Sequence, residues 1–130
     1  MIDIDFLALA IAVVASMVLT ALWYSPLIFG NAWLKTTRLK KMPKAHWQYY
    51  AGSLVTQAVM AFLLAVFLYH TEADSILSAL QTAFFLWLGF IATATFSPVI
   101  WEKKPFRWWL IANGNLLLSV LVMATIISAW

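Results

Sequence analysis

Residues 6–24 read FLALAIAVVASMVLTALWY, nineteen positions without a charge. A helix of that length covers about 28 Å at 1.5 Å per residue, close to the ~30 Å of hydrocarbon in a bilayer. Three further stretches have the same character: Trp47 to Tyr69, Ile76 to Phe96, and Phe106 to Trp130. The second and third are uncharged, and the fourth holds only Arg107 at its edge. A charge at mid-helix adds about 2.5 to 3.5 kcal/mol to insertion, a penalty that all four stretches avoid. In lipid only helices or a closed barrel satisfy the backbone, and these runs lack two-residue alternation. The expected fold is therefore all-α: four transmembrane helices in an up-down bundle, forming one domain over residues 1–130.

Composition supports the same reading. Of the 130 residues, 65% are hydrophobic and 10% charged, against roughly 45 to 50% and about 25% in soluble domains. A small domain buries only about two-thirds of its unfolded surface, so the apolar excess is expected to face lipid. Asp3 and Asp5 stand where a signal peptide would carry positive charge, and the first run is long for a signal sequence, so it reads as a retained span. There is no cysteine, which removes disulfides, thiolate metal sites and cysteine nucleophiles together.

The net charge of +3 is not a nucleic-acid signal, because all eight basic residues lie in two segments beside apolar runs. Lys35, Arg38, Lys40, Lys41 and Lys44 join spans one and two, and Lys103, Lys104 and Arg107 join three and four. The other side carries Asp3, Asp5, Glu72 and Asp74. The positive-inside rule then predicts cytoplasmic basic loops and both termini outside. Trp23, Tyr24, Trp33, Trp47, Tyr49, Tyr50, Trp101, Trp108 and Trp109 are expected at the cytoplasmic interface, with Tyr69 and Trp130 at the other. The first basic group is also placed to touch anionic lipid headgroups.

Ser25-Pro26-Leu27-Ile28-Phe29 matches Ser97-Pro98-Val99-Ile100-Trp101 at an offset of 72 residues. Two readings apply. One is a pair of repeated helical hairpins about an axis along the membrane normal; the other is ordinary recurrence of Ser-Pro at helix ends. In either case Pro26 is expected to end or kink the first helix, with Ser25 capping a short interfacial helix through Leu27, Ile28, Phe29, Trp33 and Leu34.

The stretch Ala21-Leu22-Trp23-Tyr24-Ser25-Pro26-Leu27-Ile28-Phe29-Gly30-Asn31-Ala32-Trp33, together with Leu86-Trp87-Leu88-Gly89-Phe90 and a late Asn-Gly element, resembles the bacterial membrane family called domain of unknown function 1761. The resemblance implies a four-span protein of the bacterial inner membrane and brings no activity with it. Its most specific part supplies Trp23, Tyr24, Ser25, Pro26 and Gly30 as an interfacial motif.

Chemistry inside the spans is sparse. His46 and His70 are separated by about 36 Å of helix and cannot share a haem or metal within one chain. No acid or histidine lies at membrane depth beside Ser16, Ser53 or Ser119, so neither a hydrolase nor a proton relay is expected, and no cofactor. Gln57, Gln81, Thr82, Asn113 and Asn115 remain as the candidate polar interior, with Trp87 as an indole near the midplane. Such groups either line a polar path or join helices at about 0.6 kcal/mol each. Small residues at Ala8-Ala12-Ser16-Thr20 and Gly89-Thr93-Ser97 mark faces for close helix approach, within the chain or between copies. The expectation is a non-enzymatic homo-oligomer that binds or passes a small solute; the alternative is an accessory subunit of a larger membrane complex.

Overall fold

The computed structural model describes residues 4–37 and 47–130, and all its regular structure is helical. Helix α1 (Phe6–Trp23) is followed by α2 (Gly30–Thr37), α3 (Trp47–His70) and α4 (Ile76–Leu86). A π-helical segment (Trp87–Ala92) leads into the short α5 (Thr93–Thr95) and α6 (Ser97–Trp101), and α7 (Phe106–Ala129) completes the fold. Four helical stretches are long and apolar enough to cross a membrane: Phe6–Trp23, Trp47–His70, Ile76–Trp101 and Phe106–Ala129. Each begins at the first residue of the corresponding apolar run, and the third continues past Phe96 to Trp101.

Local chemistry sets the boundaries. Asp5 caps α1 by accepting the Leu7 and Ala8 amides on one carboxylate oxygen, at 2.9 and 3.3 Å. Ser75 caps α4 through the Ser78 amide at 3.1 Å. Each cap satisfies backbone donors that a helix start leaves open.

Helix α7 is the axis of the packing. It contacts α1, α4, α3 and α2, while α3 and α4 touch each other little. A twofold relating the hairpin α1–α3 to α4–α7 would make the α1–α7 and α3–α4 contacts equivalent, and they are the most and among the least extensive. The two Ser-Pro segments also differ: Ser25 and Pro26 lie in a turn, whereas Ser97 and Pro98 begin α6.

The bundle divides lengthwise into two zones. Toward the chain termini the core is apolar and closely built: Leu9, Ala12 and Val13 of α1, Ala61, Leu64, Ala65 and Leu68 of α3, Ala79 and Ala83 of α4, Val120, Met123 and Ala124 of α7. Alanines at these crossings let backbones approach, which replaces the hydrophobic driving force that lipid removes. Toward the basic segments the interior becomes polar, with Ser16, Asn113, Asn115 and Ser119 buried. The Ala8-Ala12-Ser16 edge of the first small-residue stripe is fully inside. Gly89, Thr93 and Ser97 of the second face outward.

Candidate functional site

The Asn113-Gly114-Asn115 triplet of α7 is where the polar zone is assembled. Residues two apart on a helix point about 200° from each other, so the two asparagines serve opposite neighbours. Asn113 faces the third span: its Oδ1 lies 2.8 Å from the Thr95 hydroxyl, and its carbonyl accepts the Trp87 indole N–H at 3.1 Å. Its amide nitrogen donates to the Trp109 carbonyl at 3.2 Å. Asn115 faces α1, accepting from the Thr20 hydroxyl at 3.3 Å. Between them Gly114 leaves room for the Trp23 ring, whose nearest atom would be 3.0 Å from any added Cβ. The Trp23 indole N–H donates to the Ile111 carbonyl at 2.8 Å.

One level further along, the Ser16 hydroxyl reaches Gln57 Oε1 on α3 at 3.0 Å and the Val13 carbonyl at the same distance. Asn113 and Asn115 are buried and Gln57 is half-buried, and each is joined to a side chain of another helix. Thr82 donates to the Ser78 carbonyl of its own helix at 2.9 Å, and Gln81 is exposed on the outer surface. Those two do not join the cluster. The partners Ser16, Thr20, Thr95, Trp23 and Trp109 escaped the sequence reading as members of this cluster, although the spacing Ser16-Thr20 on the small-residue stripe was a usable signal.

Trp87 is half-buried against the core and opens the π-helical segment that carries the second family motif. A π turn shifts the carbonyls out of the ordinary i to i−4 ladder, and side chains meet several of them here. Thr93 donates to the Gly89 carbonyl at 2.7 Å, and the Thr95 hydroxyl lies 2.7 Å from the Ile91 carbonyl. Trp109 donates to the Ala92 carbonyl at 3.3 Å.

The Trp23 to Gly30 motif forms a stop and restart. Ser25 does not cap a helix: its hydroxyl donates back to the Leu22 carbonyl at 2.7 Å, and its own carbonyl accepts the Ile28 and Gly30 amides at 3.1 and 2.9 Å. Leu27 and Ile28 therefore lie in the turn, and α2 begins only at Gly30. The reason is steric, because a Cβ on Gly30 would stand 2.4 Å from the Tyr24 carbonyl oxygen and 2.7 Å from that of Ser25. Trp23 stacks obliquely on Phe29 at 4.5 Å, and Tyr24 meets Trp33 edge-on at 5.8 Å. Lys35 is exposed on α2, and Arg38, Lys40, Lys41 and Lys44 lie outside the described residues.

Two openings flank this interior. A bowl of about 580 Å³ lies at the end of the bundle that holds Ile4 and Trp130, lined also by Asp5, Ala8, Leu9, Ala65, Leu68, Tyr69, Ala73, Ile127 and Ser128. Asp5 is the one charged wall residue among those described. Below it the apolar zone is shut, with Ala12, Ala61, Met123 and Ala124 wholly inaccessible. A second hollow, an apolar cleft of about 470 Å³, separates α3 from α4, with Met60, Leu63, Phe67, Phe90 and Ile91 among its walls. No group of three acidic, histidine or cysteine side chains able to hold a metal occurs among the described residues.

Four apolar helices packed through interhelical hydrogen bonds and alanine contacts define a small polytopic helical membrane protein. Residues 7–128 match the family described as "Protein of unknown function (DUF1761)", and the chain belongs to that family. No curated protein and no solved structure matches it.

Proposed function

We propose that this protein is a non-enzymatic binding protein of the bacterial inner membrane. Its four spans run up and down, the basic segments face the cytoplasm, and the bowl at the chain termini receives a small solute from the outer side. The observation that carries the reading is the blind shape of the bowl. Its walls are polar in part, and its floor is the closed apolar core of Ala12, Ala61, Met123 and Ala124. Binding is thereby favoured over passage through one chain. The half-buried Gln57 and the buried Asn113 and Asn115 are already engaged with Ser16, Thr95 and Thr20, which supports a joining role for them in place of a solute path.

Asp5 sets the solute chemistry. A carboxylate at the mouth, with Tyr69 and Trp130 rings among the walls, suits a small organic cation with an apolar portion. Binding of benzyltrimethylammonium to the full chain in lipid nanodiscs tests this. Asp5→Asn keeps the helix cap, since Asn caps as well as Asp, and removes the charge. Weakened binding in that variant supports the reading; no binding by the natural chain, or equal binding by both, overturns it.

The proposal includes self-association. The outward Gly89-Thr93-Ser97 stripe, with nothing within 4 Å of a Cβ at Gly89, gives a second copy a surface for close approach. A single discrete mass greater than one chain in mild detergent is expected, with Gly89→Ile reducing it to the monomer. The accessory-subunit reading draws on a different feature, the cleft between α3 and α4, where a foreign helix would find Met60, Phe67 and Phe90. Stoichiometric co-purification of another membrane protein would favour it.

A further inference from the structure

A third hollow lies at the opposite end from the bowl. About 420 Å³ in volume, it is walled by Trp23, Phe29 and Ala32 on one side and Arg107, Leu110, Ile111 and Gly114 on the other. The α7 residues stand at i, i+3, i+4 and i+7, a single helical face. The groove therefore follows α7 for about 10 Å, from the first turn of the helix toward its middle. Its polarity is graded along that line: a guanidinium at the mouth, then only apolar side chains and a glycine. We infer that this groove seats one anionic phospholipid, with the phosphate on Arg107 and the upper part of an acyl chain along Leu110, Ile111 and Gly114. It is separate from the bowl and stands whether or not the bowl binds a solute.

Three observations fix the occupant's chemistry. Among the described residues Arg107 is the only charged one in the wall, and no carboxylate of the described residues pairs with it. It sits in the first turn of α7, which has no acidic residue and no capping side chain, where the helix dipole opposes a cation and favours an anion beside it. The apolar wall offers no second polar partner, because the Trp23 indole N–H is already committed to the Ile111 carbonyl at 2.8 Å. A free phosphate would meet the charge and leave the rest of the groove empty. A neutral lipid would fill the groove and leave the guanidinium without a counter-charge. An anionic lipid satisfies both, and a planar guanidinium is suited to bidentate contact with phosphate oxygens. The groove is also rigidly built: Trp23 is held by Phe29 at 4.5 Å, and Gly30 fixes the turn that brings α2 and Ala32 against α7.

The test is native mass spectrometry of the delipidated full chain, titrated with phosphatidylglycerol or phosphatidylcholine in detergent. The expected result is one phosphatidylglycerol held at least about fivefold more tightly than phosphatidylcholine, the size of effect one cation near the surface provides. Arg107→Gln should abolish that preference. Lys104→Gln, which removes the same charge outside the groove, should retain it. Ala32→Phe should weaken both lipids by filling the groove. Equal retention of the two lipids by the natural chain would overturn the inference, as would equal loss in the Arg107 and Lys104 variants. Displacement of the bound lipid by millimolar glycerol phosphate would also overturn it by marking a phosphate site with no use for the acyl chain. Should Ala32→Phe fail to fold, the comparison of Arg107→Gln with Lys104→Gln decides alone.

Discussion

The hydroxyl of Thr95 stands 2.8 Å from Oδ1 of Asn113, tying the end of the third span to α7 eighteen residues later. Asn113 is 2% exposed and also receives the Trp87 indole on its carbonyl. Replacing it by Leu leaves the Thr95 hydroxyl only carbonyls of its own helix and adds bulk where the two spans meet. The expected loss is about 1 to 2 kcal/mol, at the upper end for interhelical hydrogen bonds in membranes. Gln81→Leu, on the outer surface, should cost nothing measurable. Unfolding in graded detergent mixtures reads both, and equal losses would mean that Asn113 is not a joint of the bundle.

Gly30 bears a different kind of constraint. An added Cβ would meet the backbone oxygens of Tyr24 and Ser25 at 2.4 and 2.7 Å, and those atoms cannot move without opening the turn. Gly30→Ala is expected to cost about 2 to 3 kcal/mol, as overpacking against rigid neighbours does. At Gly52 nothing lies within 4 Å, so Gly52→Ala should be neutral or stabilising by up to about 1 kcal/mol through helix propensity. The same unfolding assay compares them, and a tolerated Gly30→Ala would show that the turn is not closed as described.

Much of this fold was legible in the residues because the controlling physics is one-dimensional. A membrane span is set by run length and the absence of charge, so Phe6, Trp47, Ile76 and Phe106 could be read directly as starts. Features decided by three-dimensional packing were less visible. Nothing in Leu86-Trp87-Leu88-Gly89-Phe90 announces a π-helical segment, whose carbonyls meet Thr93 and Thr95 of the same span and, once α7 packs against it, Trp109. Gln81 and Gln57 look alike in sequence, and only the rotation of each helix about its axis separates the lipid face from the interior. The start of α2 at Gly30, and not at Leu27, has a related cause: Pro26 signals a break, but the length of the turn is set by the close approach at Gly30.

Trp23 and Gly114 should be energetically coupled. The ring lies where a Cβ on Gly114 would stand 3.0 Å from its nearest atom, and its N–H is bonded to the adjacent turn at Ile111. Gly114→Ala alone is expected to destabilise by about 1 kcal/mol, since the ring must yield by a few tenths of an ångström against Phe29. Trp23→Leu removes both the hydrogen bond and the crowding. In the double variant the Ala substitution should therefore cost little or nothing, giving a coupling energy of about 1 kcal/mol in a double-mutant cycle. Additive losses would show that the two residues do not press on each other.

Ser119 is the one side-chain oxygen among the described residues that is buried without a hydrogen-bond partner. The antiparallel register that sets Thr20 against Asn115 places Ser119 at the level of Ser16, which is itself turned toward Gln57 and Val13. A hydroxyl enclosed without a partner forfeits its solvation, at roughly 1 to 3 kcal/mol. Ser119→Ala removes that penalty and almost no volume, so the variant should be more stable than the natural chain by about 1 kcal/mol. Ser16→Ala should be less stable by about the same amount, because it strips Gln57 of its donor. Opposite signs from two serines at one depth would separate a joining hydroxyl from an idle one, and a destabilised Ser119→Ala would mean that its oxygen has a partner in the membrane after all.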